Sequence, residues 1–355
     1  MMSIVIETQT ELPARIARHT ALPPAVSVII PAYSVAQYIG EAIRSVLAQT
    51  RKDFEIIVIN DGSPDTEELE RMLEPFREHF VYIKQDNRGA AAARNAGLYV
   101  ARGEFVGFLD ADDTWEPDFL RSQLDFIATH GRCDFVYADA QLVGETPHAG
   151  KTYMETTPSK GEVTFESLIT ARCNVITSGV VARRQMILDV GLFDEHLLRA
   201  HDFDLWLRML RHGARGAYQR KVLLSYRVRR DSLSGNAVQR VERELEAYDK
   251  IERHLELTVP ERGLIAGMVR RLNADLRIER GKDKLSLREF DAAAEEFRSS
   301  YRFRRNWKLP LVLLALHVAP NTLLRVYTGR RGQWARHAER IKRVCAHLIS
   351  GPFGS

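Results

Sequence analysis

The early part of the chain alternates between short runs of apolar residues and longer segments whose apolar residues recur every three or four positions. Short β-branched runs are typical of buried strands, and the longer spacing is typical of amphipathic helices. The predicted strands are 26–30, 54–59, 80–84 and 105–109, and the predicted helices cover 39–47, a segment from about residue 66, and 90–101. Strands that alternate with helices predict an α/β fold with a mainly parallel, Rossmann-like sheet.

In open α/β sheets, ligands bind at the carboxyl ends of the strands. Tyr33 follows the first predicted strand, Asp61 follows the second, and Asp112 follows the fourth. Arg94 lies on the helix between the third and fourth strands. We therefore expect these four side chains to lie at or near one edge of the sheet.

Two carboxylates, Asp110 and Asp112, come directly after the fourth predicted strand. On an extended strand their side chains project to the same side, because successive residues point to opposite faces. Like charges so close are unfavourable without a cation between them, and Mg²⁺ and Mn²⁺ prefer oxygen ligands. We therefore predict a metal site that also holds a diphosphate. The alternative is a solvated acidic turn in which Asp113 or Thr114 caps a helix that begins near 116–117.

The order of these motifs resembles the family 2 glycosyltransferases, whose GT-A fold is an α/β domain that binds nucleotide sugars. The resemblance covers roughly residues 26–236. The matching segments are Val-Ile-Ile-Pro-Ala-Tyr at 28–33, Ile-Asn-Asp-Gly-Ser at 59–63, Asn-Arg-Gly at 87–89, Ala-Arg-Asn-Ala-Gly at 93–97, Phe-Leu-Asp-Ala-Asp-Asp at 108–113, Gly-Leu-Phe-Asp-Glu at 191–195 and Asp-Phe-Asp-Leu-Trp-Leu-Arg at 202–208.

The resemblance implies a role for each matching polar residue in binding the donor. Pro31 and Tyr33 would border the nucleotide, and Asp61 would hydrogen-bond the uracil of a UDP-sugar. The other implied donor-binding residues are Asp110 at the ribose, Asp112 on a Mg²⁺ or Mn²⁺ ion that bridges the phosphates, and Arg94 on the nucleotide or its phosphates. The alternatives are an ordinary turn at Asp61 and a solvated helix position at Arg94.

Asp202 is the predicted catalytic base. It begins a predicted amphipathic helix, where the helix dipole stabilises a carboxylate. The residues predicted for the buried side of this helix are Phe203, Trp206, Leu207 and Leu210. In the resembled family this aspartate takes the proton from the acceptor hydroxyl during a single inverting displacement. The alternative is a simple helix cap; His201 stands before it, where many relatives have glutamate.

The segment 225–234 resembles the mobile loop that covers the donor in this family. Arg227, Arg229 or Arg230 could reach the diphosphate, because a guanidinium fork matches phosphate oxygens. We include Arg227 among the predicted donor-binding residues, and a solvated loop is the alternative.

Composition predicts a globular protein with a distinct tail. The chain has 355 residues, of which 45% are hydrophobic and 28% charged, which is ordinary for a globular enzyme. Residues 1–24 lack the pattern of a signal peptide and indicate a flexible lead-in to a cytoplasmic protein. The three cysteines lack metal-ligand spacing, which predicts reduced thiols. We divide the rest into a catalytic domain at 25–236, a helical extension at 237–300 and a basic tail at 301–355.

Within the extension, the predicted helices are 238–255, 261–280 and 286–300, with breaks at Pro260 and at 283–284. The tail has 11 Lys or Arg and one acidic residue, Glu339. Its apolar run at 309–316 is too short to span a bilayer, which needs about 20 residues. With Trp307 and Trp334 beside it, the run could instead lie in an anionic membrane surface. The alternative is that it packs on the preceding helices.

Other functions lack their motifs. The sequence contains neither the Gly-x-Gly-x-x-Gly of dehydrogenases nor the phosphate loop of kinases, and no recognisable nucleic-acid motif. It also lacks the Gln-x-x-Arg-Trp motif and the membrane helices of processive synthases. We therefore predict an inverting, metal-dependent transferase that moves one sugar, from a UDP-sugar, to a glycan or lipid-linked acceptor in cell-surface polysaccharide or lipopolysaccharide biosynthesis. The alternative is an inactive domain that binds a nucleotide sugar or a partner.

Overall fold

The computed structural model describes residues 23–197, 200–229, 237–303 and 307–328. The chain forms two compact units, which divide between Arg229 and Arg230. Most of the predicted lead-in, Arg230, Trp334 and the basic segment after residue 328 lie outside the described residues.

The first unit is built from strands and helices that mostly alternate. Its strands are β1 (Val26–Ala32), β2 (Phe54–Asp61), β3 (Phe80–Gln85), β4 (Phe105–Phe108), β5 (Thr114–Trp115), β6 (Phe135–Gly144), β7 (Val180–Arg183) and β8 (Gly216–Val228). Its α-helices are α1 (Ala36–Leu47), α2 (Thr66–Leu73), α3 (Ala90–Val100), α4 (Phe119–Thr129), α5 (Tyr153–Thr156), α6 (Phe165–Ile169), α7 (Arg184–Asp189) and α8 (His201–Arg211). The four predicted strands and the three predicted helices are confirmed to within a few residues.

Strands β1, β2 and β4 are almost continuously buried, because helices cover the sheet and leave no face for polar residues. Helix α1 packs Ile39, Ile43 and Val46 on the core. Helix α3 approaches the sheet closely at Gly97, where an added Cβ would lie 2.7 Å from a methyl carbon of Ile29. The alanine-rich sequence of α3 therefore brings its polar residues close to the strand ends.

The eight strands form one sheet in the order β3-β2-β1-β4-β7-β6-β8-β5. Pairing is parallel from β3 through β4 and between β6 and β8, and it is antiparallel on both sides of β7 and between β5 and β8. The carboxyl ends of β1 to β4 and of β8 therefore lie at the same edge, together with the beginning of β7. This mixed, mostly parallel sheet confirms the predicted α/β class.

The acidic motif differs from its prediction. Strand β4 ends at Phe108, and the backbone N–H of Asp113 donates to the carbonyl of Asp110 over 2.9 Å. The motif is therefore a turn, and the prediction that Asp110 and Asp112 share one face of an extended strand was wrong. The helix expected near 116–117 begins instead at Phe119, after the short strand β5.

Helix α8 buries a different set of residues from the predicted one. Trp206 and Leu207 are buried as expected. Phe203 and Leu210, however, are only partly buried, while Leu205 and Met209 are fully buried. The predicted apolar stripe was therefore placed partly on the wrong side of the helix.

The second unit is helical, with α9 (Ala237–His254), α10 (Val259–Ser286), α11 (Phe290–Phe303) and α12 (Lys308–Val318). The predicted break between the first two helices of this unit is confirmed, but it lies at residues 255–258, and Pro260 stands in the first turn of α10, where the missing N–H costs nothing. The predicted break at 283–284 was wrong, since α10 continues through it.

The apolar run of the tail forms α12, which has one packed side and one exposed side. Leu309 and Leu316 join a core with Leu285 and Phe297, so the packing alternative holds for these residues. Trp307, Leu311, Leu314 and Val318 are exposed, with fractions from 58% to 74%. Among the described residues, no helix combines the length and apolar character that crossing a bilayer requires.

Candidate active site

The candidate site lies at the sheet edge where β1 to β4 and β8 end and where β7 begins. Loops from these strands, together with the N-terminus of α8, carry the predicted residues. The side chains form two groups: one around Asp61, and one that runs from Arg94 through the acidic turn to the end of β8.

Asp61 ties two loops together. Its Oδ1 accepts hydrogen bonds from Gln85 Nε2 at 2.8 Å and from the Arg88 N–H at 2.9 Å, while Oδ2 accepts from the Gly89 N–H at 2.8 Å. The next residue, Gly62, has φ +62° and lies so close to Asn87 that an added Cβ would come within 2.5 Å of its backbone nitrogen. Asp61 is therefore the buried anchor of the loops after β2 and β3, which is more than an ordinary turn requires.

Pro31 and Tyr33 lie on the neighbouring loop after β1. Pro31 is partly buried within β1, and Tyr33 has 46% of its surface exposed. The backbone N–H of Ser34 donates to Ser63 Oγ over 2.7 Å. This contact brings the backbone next to the exposed Tyr33 against the loop that follows Asp61.

Arg94 is buried, so the alternative of a solvated helix position was wrong. Its Nη2 donates to Asp110 Oδ1 at 2.5 Å, and its Nη1 lies 2.6 Å from His201 Nε2. Because a guanidinium only donates, His201 Nε2 must be the acceptor and the imidazole must be neutral. Burial, followed by the charge of Arg94, lowers the pKa of His201. Arg94 therefore joins the acidic turn to the start of α8.

The acidic turn concentrates three carboxyl groups. Burial first, and then the charge of Asp110, raises the pKa of Asp112 to about 6. Burial, with the charges of Asp110 and Asp112, also raises the pKa of Asp113 well above its ordinary value. Full ionisation of this turn is therefore unfavourable unless a further positive charge is bound beside it.

Two arginines from the end of β8 contact this turn. Arg227 Nε donates to the carbonyl of Asp112 at 3.0 Å, and Arg227 Nη2 binds Glu41 at 2.8 Å. Arg229 forms an ion pair with the Asp112 carboxylate, with 3.5 Å between Nε and Oδ2. Arg230, the third predicted candidate, lies outside the described residues. Within the described part of the loop, Arg229 is the arginine that is paired with the Asp112 carboxylate.

Asp202 lies in the first turn of α8 and is partly exposed. Its Oδ2 accepts from Thr177 Oγ1 at 2.7 Å, and its Oδ1 accepts from the Phe203 N–H at 2.8 Å. Burial favours the protonated acid, whereas the hydrogen bond from the Thr177 hydroxyl, the charge of Arg94 and the Phe203 N–H favour the carboxylate, and the pKa of Asp202 is lowered. The structure therefore holds an ionised carboxylate at this edge.

Sequence reasoning missed the segment that links Asp202 to the acidic turn. Thr177 and Ser178 form a short 3₁₀ turn just before β7. Thr177 donates to Asp202, while Ser178 Oγ accepts from the Asp110 N–H at 3.1 Å. No motif marks this segment, because its role arises from the reversed direction of β7. Glu195 was also given no role, although its motif was visible; it accepts from Asn95 Nδ2 at 3.0 Å and pairs with Arg88.

The acidic turn provides part of the set of oxygen ligands that a cation site requires. Asp110 and Asp112 offer oxygen ligands, and their side chains are 35% and 19% exposed. Within the described residues, no three His, Cys, Asp or Glu side chains are arranged to hold a metal. Mg²⁺ and similar ions are commonly held by one or two carboxylates together with substrate phosphates. The donor set therefore suits a metal that binds with a diphosphate rather than alone.

Comparison with known proteins agrees with this geometry. Residues 27–187 match the Glycosyl transferase family 2 model. The putative teichuronic acid biosynthesis glycosyltransferase TuaG of Bacillus subtilis is 30% identical over 234 residues, which cover 65% of this chain and 89% of TuaG. The chain belongs to glycosyltransferase family 2. An uncharacterized glycosyltransferase of Rickettsia typhi is 29% identical over 72% of this chain and 79% of its own length.

Solved structures confirm the fold expected of this family 2 glycosyltransferase. The mannosyltransferase PcManGT of Pyrobaculum calidifontis, in complex with GDP-Man and Mn²⁺, has a TM-score of 0.58 at 18% identity and covers 87% of this chain and 85% of its own. Residues 1–349 of S. aureus TarS, in complex with UDP-GlcNAc, have a TM-score of 0.53 at 20% identity and cover 87% and 91%. The predicted GT-A fold is therefore confirmed, and the similarity to TuaG confirms the glycosyltransferase class.

Proposed function

We propose that this glycosyltransferase moves a single sugar from a UDP-sugar to an acceptor hydroxyl, with inversion at the anomeric carbon. The observation that carries the proposal is the placement of an ionised Asp202 and of the acidic turn at one sheet edge, joined through Arg94 and the 177–178 segment. A base for the acceptor and a binding place for the donor's diphosphate are the two elements that this reaction requires.

In the proposed donor complex, the nucleoside lies against the loops after β1 and β2. Tyr33 offers an exposed ring, and Pro31 lies beside it. Asp61 keeps acceptor capacity on Oδ2 beyond its bond from Gly89, so it can take the N–H of uracil. TarS with UDP-GlcNAc supports a uridine donor, while PcManGT with GDP-Man makes guanosine the competing base.

Asp110 would face the ribose, held in position by Arg94, and Arg94 would in turn be held by His201. Asp112 would ligate Mg²⁺ or Mn²⁺. When bound, such an ion stabilises the charge that develops on the departing diphosphate. The Mn²⁺ in the PcManGT complex supports this assignment.

Asp202 would take the proton of the acceptor hydroxyl as its oxygen attacks the anomeric carbon. The hydrogen bonds from Thr177 and from the Phe203 N–H hold the carboxylate in place and favour its ionised form. Because one attack displaces the diphosphate from the opposite side, the configuration inverts.

We propose an acceptor of the glycan or lipid-linked type, in the biosynthesis of a cell-surface polysaccharide. The name of TuaG, which refers to teichuronic acid biosynthesis, supports this setting. The full set of Asp61, Asp112 and Asp202 favours turnover over the alternative of an inactive binding domain.

A thermal-shift screen tests the proposed donor and metal. We expect UDP-sugars with Mn²⁺ or Mg²⁺ to raise the melting temperature more than GDP-, dTDP- or CMP-sugars do, because a ligand that binds only the native state stabilises it. EDTA should remove most of that shift. A response to GDP-sugars alone would replace the uridine assignment, and no response to any nucleotide would contradict the proposal.

We further propose that the second unit contacts the anionic inner surface of the cytoplasmic membrane through Trp307, Leu311, Leu314 and Val318. In the sequence, these four exposed apolar side chains stand between the basic residues of the tail. Attraction to anionic lipid is about 1 kcal/mol per basic residue near the surface, and the apolar stripe would add burial in the interface.

Flotation with the full chain tests this contact without removing α12, whose packed side is part of a core. We expect wild type to float with phosphatidylglycerol vesicles and not with phosphatidylcholine vesicles, and the double variant L311S/L314S to float less. The matched control is L287S, which changes another exposed leucine of the same unit. Equal recovery of L311S/L314S and wild type would exclude this stripe.

A further inference from the structure

The two described arginines at the end of β8 are held in different ways. Arg227 makes short contacts: its N–H donates to Asp113 Oδ1 at 2.7 Å, and its side chain binds the Asp112 carbonyl and Glu41. These partners are a buried carboxyl group, a backbone oxygen and a carboxylate on α1, so Arg227 fastens β8 to the first half of the unit. None of these contacts uses the carboxylate of Asp112.

Arg229, by contrast, pairs with the carboxylate itself. Its Nε lies 3.5 Å from Asp112 Oδ2, and its Nη1 donates to the Ser34 carbonyl at 3.5 Å. The guanidinium carbon lies 5.4 Å from the centroid of the Tyr38 ring. The side chain is only 13% exposed. A positive charge is thus enclosed beside the carboxylate that the proposed function assigns to the metal.

We propose that Arg229 holds the place of the cation at Asp112 and moves to the donor's diphosphate when the metal and the nucleotide bind together. This inference rests on the proposed function, because it needs Asp112 to be the metal ligand. Arg229 loses its ion pair when Asp112 turns to a divalent ion, since a guanidinium and a divalent cation on one carboxylate repel each other. The diphosphate offers a new partner, because its oxygens suit the guanidinium fork.

The consequence is that metal and nucleotide should bind cooperatively. Without nucleotide, a metal must displace Arg229 from Asp112 and then stay beside an uncompensated positive charge. With nucleotide, the same displacement gives Arg229 a phosphate partner. The Asp112 site therefore accepts metal readily only when a diphosphate arrives with it, which limits occupation by free ions.

The test measures Mn²⁺ binding by electron paramagnetic resonance on the full chain, first with the metal alone and then with UDP or GDP present. Wild type is compared with R229Q, with R229K, which keeps the charge, and with R220Q, which makes the same change at an exposed position of β8. Titrations at about pH 8 keep Asp112 ionised in each protein. Melting temperatures without metal verify the fold.

We expect R229Q to bind Mn²⁺ alone about tenfold more tightly than wild type, which corresponds to the repulsion between a unit charge and a divalent ion about 6 Å apart in water. R229K and R220Q should behave like wild type with the metal alone. R227Q should have a smaller effect than R229Q, because Arg227 does not pair with the carboxylate. Nucleotide should improve Mn²⁺ binding less in R229Q than in wild type.

Unchanged binding of Mn²⁺ alone in R229Q, with nucleotide-dependent Mn²⁺ binding still present in wild type, would overturn the role of Arg229 and leave the metal assignment intact. If wild type binds no Mn²⁺ even with UDP or GDP, the proposed metal dependence fails. In that case Arg229 is a permanent partner of Asp112, and the inference fails with it.

Discussion

Replacing Asp202 by asparagine is expected to lower the rate of sugar transfer by about 10²- to 10⁴-fold, the range that general base catalysis contributes. Donor binding should be unchanged, because Asp202 contacts Thr177 and the Phe203 N–H rather than the acidic turn. Initial rates with a saturating donor, together with donor affinity from calorimetry, separate these two effects.

The surroundings of Asp202 can accommodate an asparagine with little change in shape or hydrogen bonding. Asparagine has nearly the shape of aspartate, and its carbonyl oxygen can still accept from the Phe203 N–H. Thr177 can turn its hydroxyl and accept from the new amide, since a hydroxyl both donates and accepts. The change therefore removes the proton acceptor and little else.

The matched control is D125N, which makes the same chemical change on an exposed face of α4. It should transfer sugar at the wild-type rate. Transfer by D202N at the rate of D125N would show that the base is another group.

Because the pKa of Asp202 is lowered from 3.8, this base stays ionised from neutral pH to about pH 5. A loss of activity over that range would therefore have to come from another group.

Much of the first half of the fold could be predicted because its signals are local. Strands β1 and β2 are continuous apolar runs, and α3 has the composition of a helix and begins after Gly89, which has φ +87°. Periodicity also predicted the edge at which Asp61 and Asp112 lie, since the carboxyl ends of parallel strands coincide.

The direction of β7 could not be read in the same way, because its antiparallel pairing with β4 and β6 depends on contacts distant in the sequence. That direction brings Thr177 and Ser178 to the site, so both residues were missed. The exact start of α10 near Pro260 could not be read from the sequence for a similar reason. A proline signals either the first turn of a helix or its interruption, and only the capping box between Thr258 and Glu261 decides between them.

The burial of Arg94 shows the same limit at the level of one side chain. On α3 it follows a run of alanines, and the sequence alone allowed a solvated position. Its partners, Asp110 and His201, come from two other segments of the chain. The ring of Phe193 also lies 5.7 Å from the guanidinium carbon. Neighbours that are distant in sequence thus determine whether this charge is exposed.

Replacing Asp112 by asparagine is the second change with a large expected effect, and its pattern should be the opposite of that of D202N. We expect the metal-dependent part of nucleotide binding to be lost and transfer to fall at least about 10²-fold, because less charge on the leaving group would be stabilised. Thermal shifts with UDP and Mn²⁺, compared with EDTA, measure the first effect, and D125N is again the control. A full Mn²⁺-dependent shift in D112N would exclude Asp112 as the metal ligand.

The affinity of D112N for UDP in the presence of EDTA also distinguishes two possible roles of the Asp112 carboxylate. If Asp112 only carries negative charge, removing that charge lowers the repulsion toward the diphosphate and affinity rises by a general electrostatic effect. If Arg229 is held by Asp112, the variant also releases a guanidinium toward the phosphates, so UDP in EDTA should bind more tightly to D112N than to the double variant D112N/R229Q. Equal affinity of these two proteins would mean that Arg229 does not reach the diphosphate. Tighter binding of UDP to D112N than to D112N/R229Q would indicate that Arg229 leaves the Asp112 carboxylate and contacts the diphosphate when the donor binds.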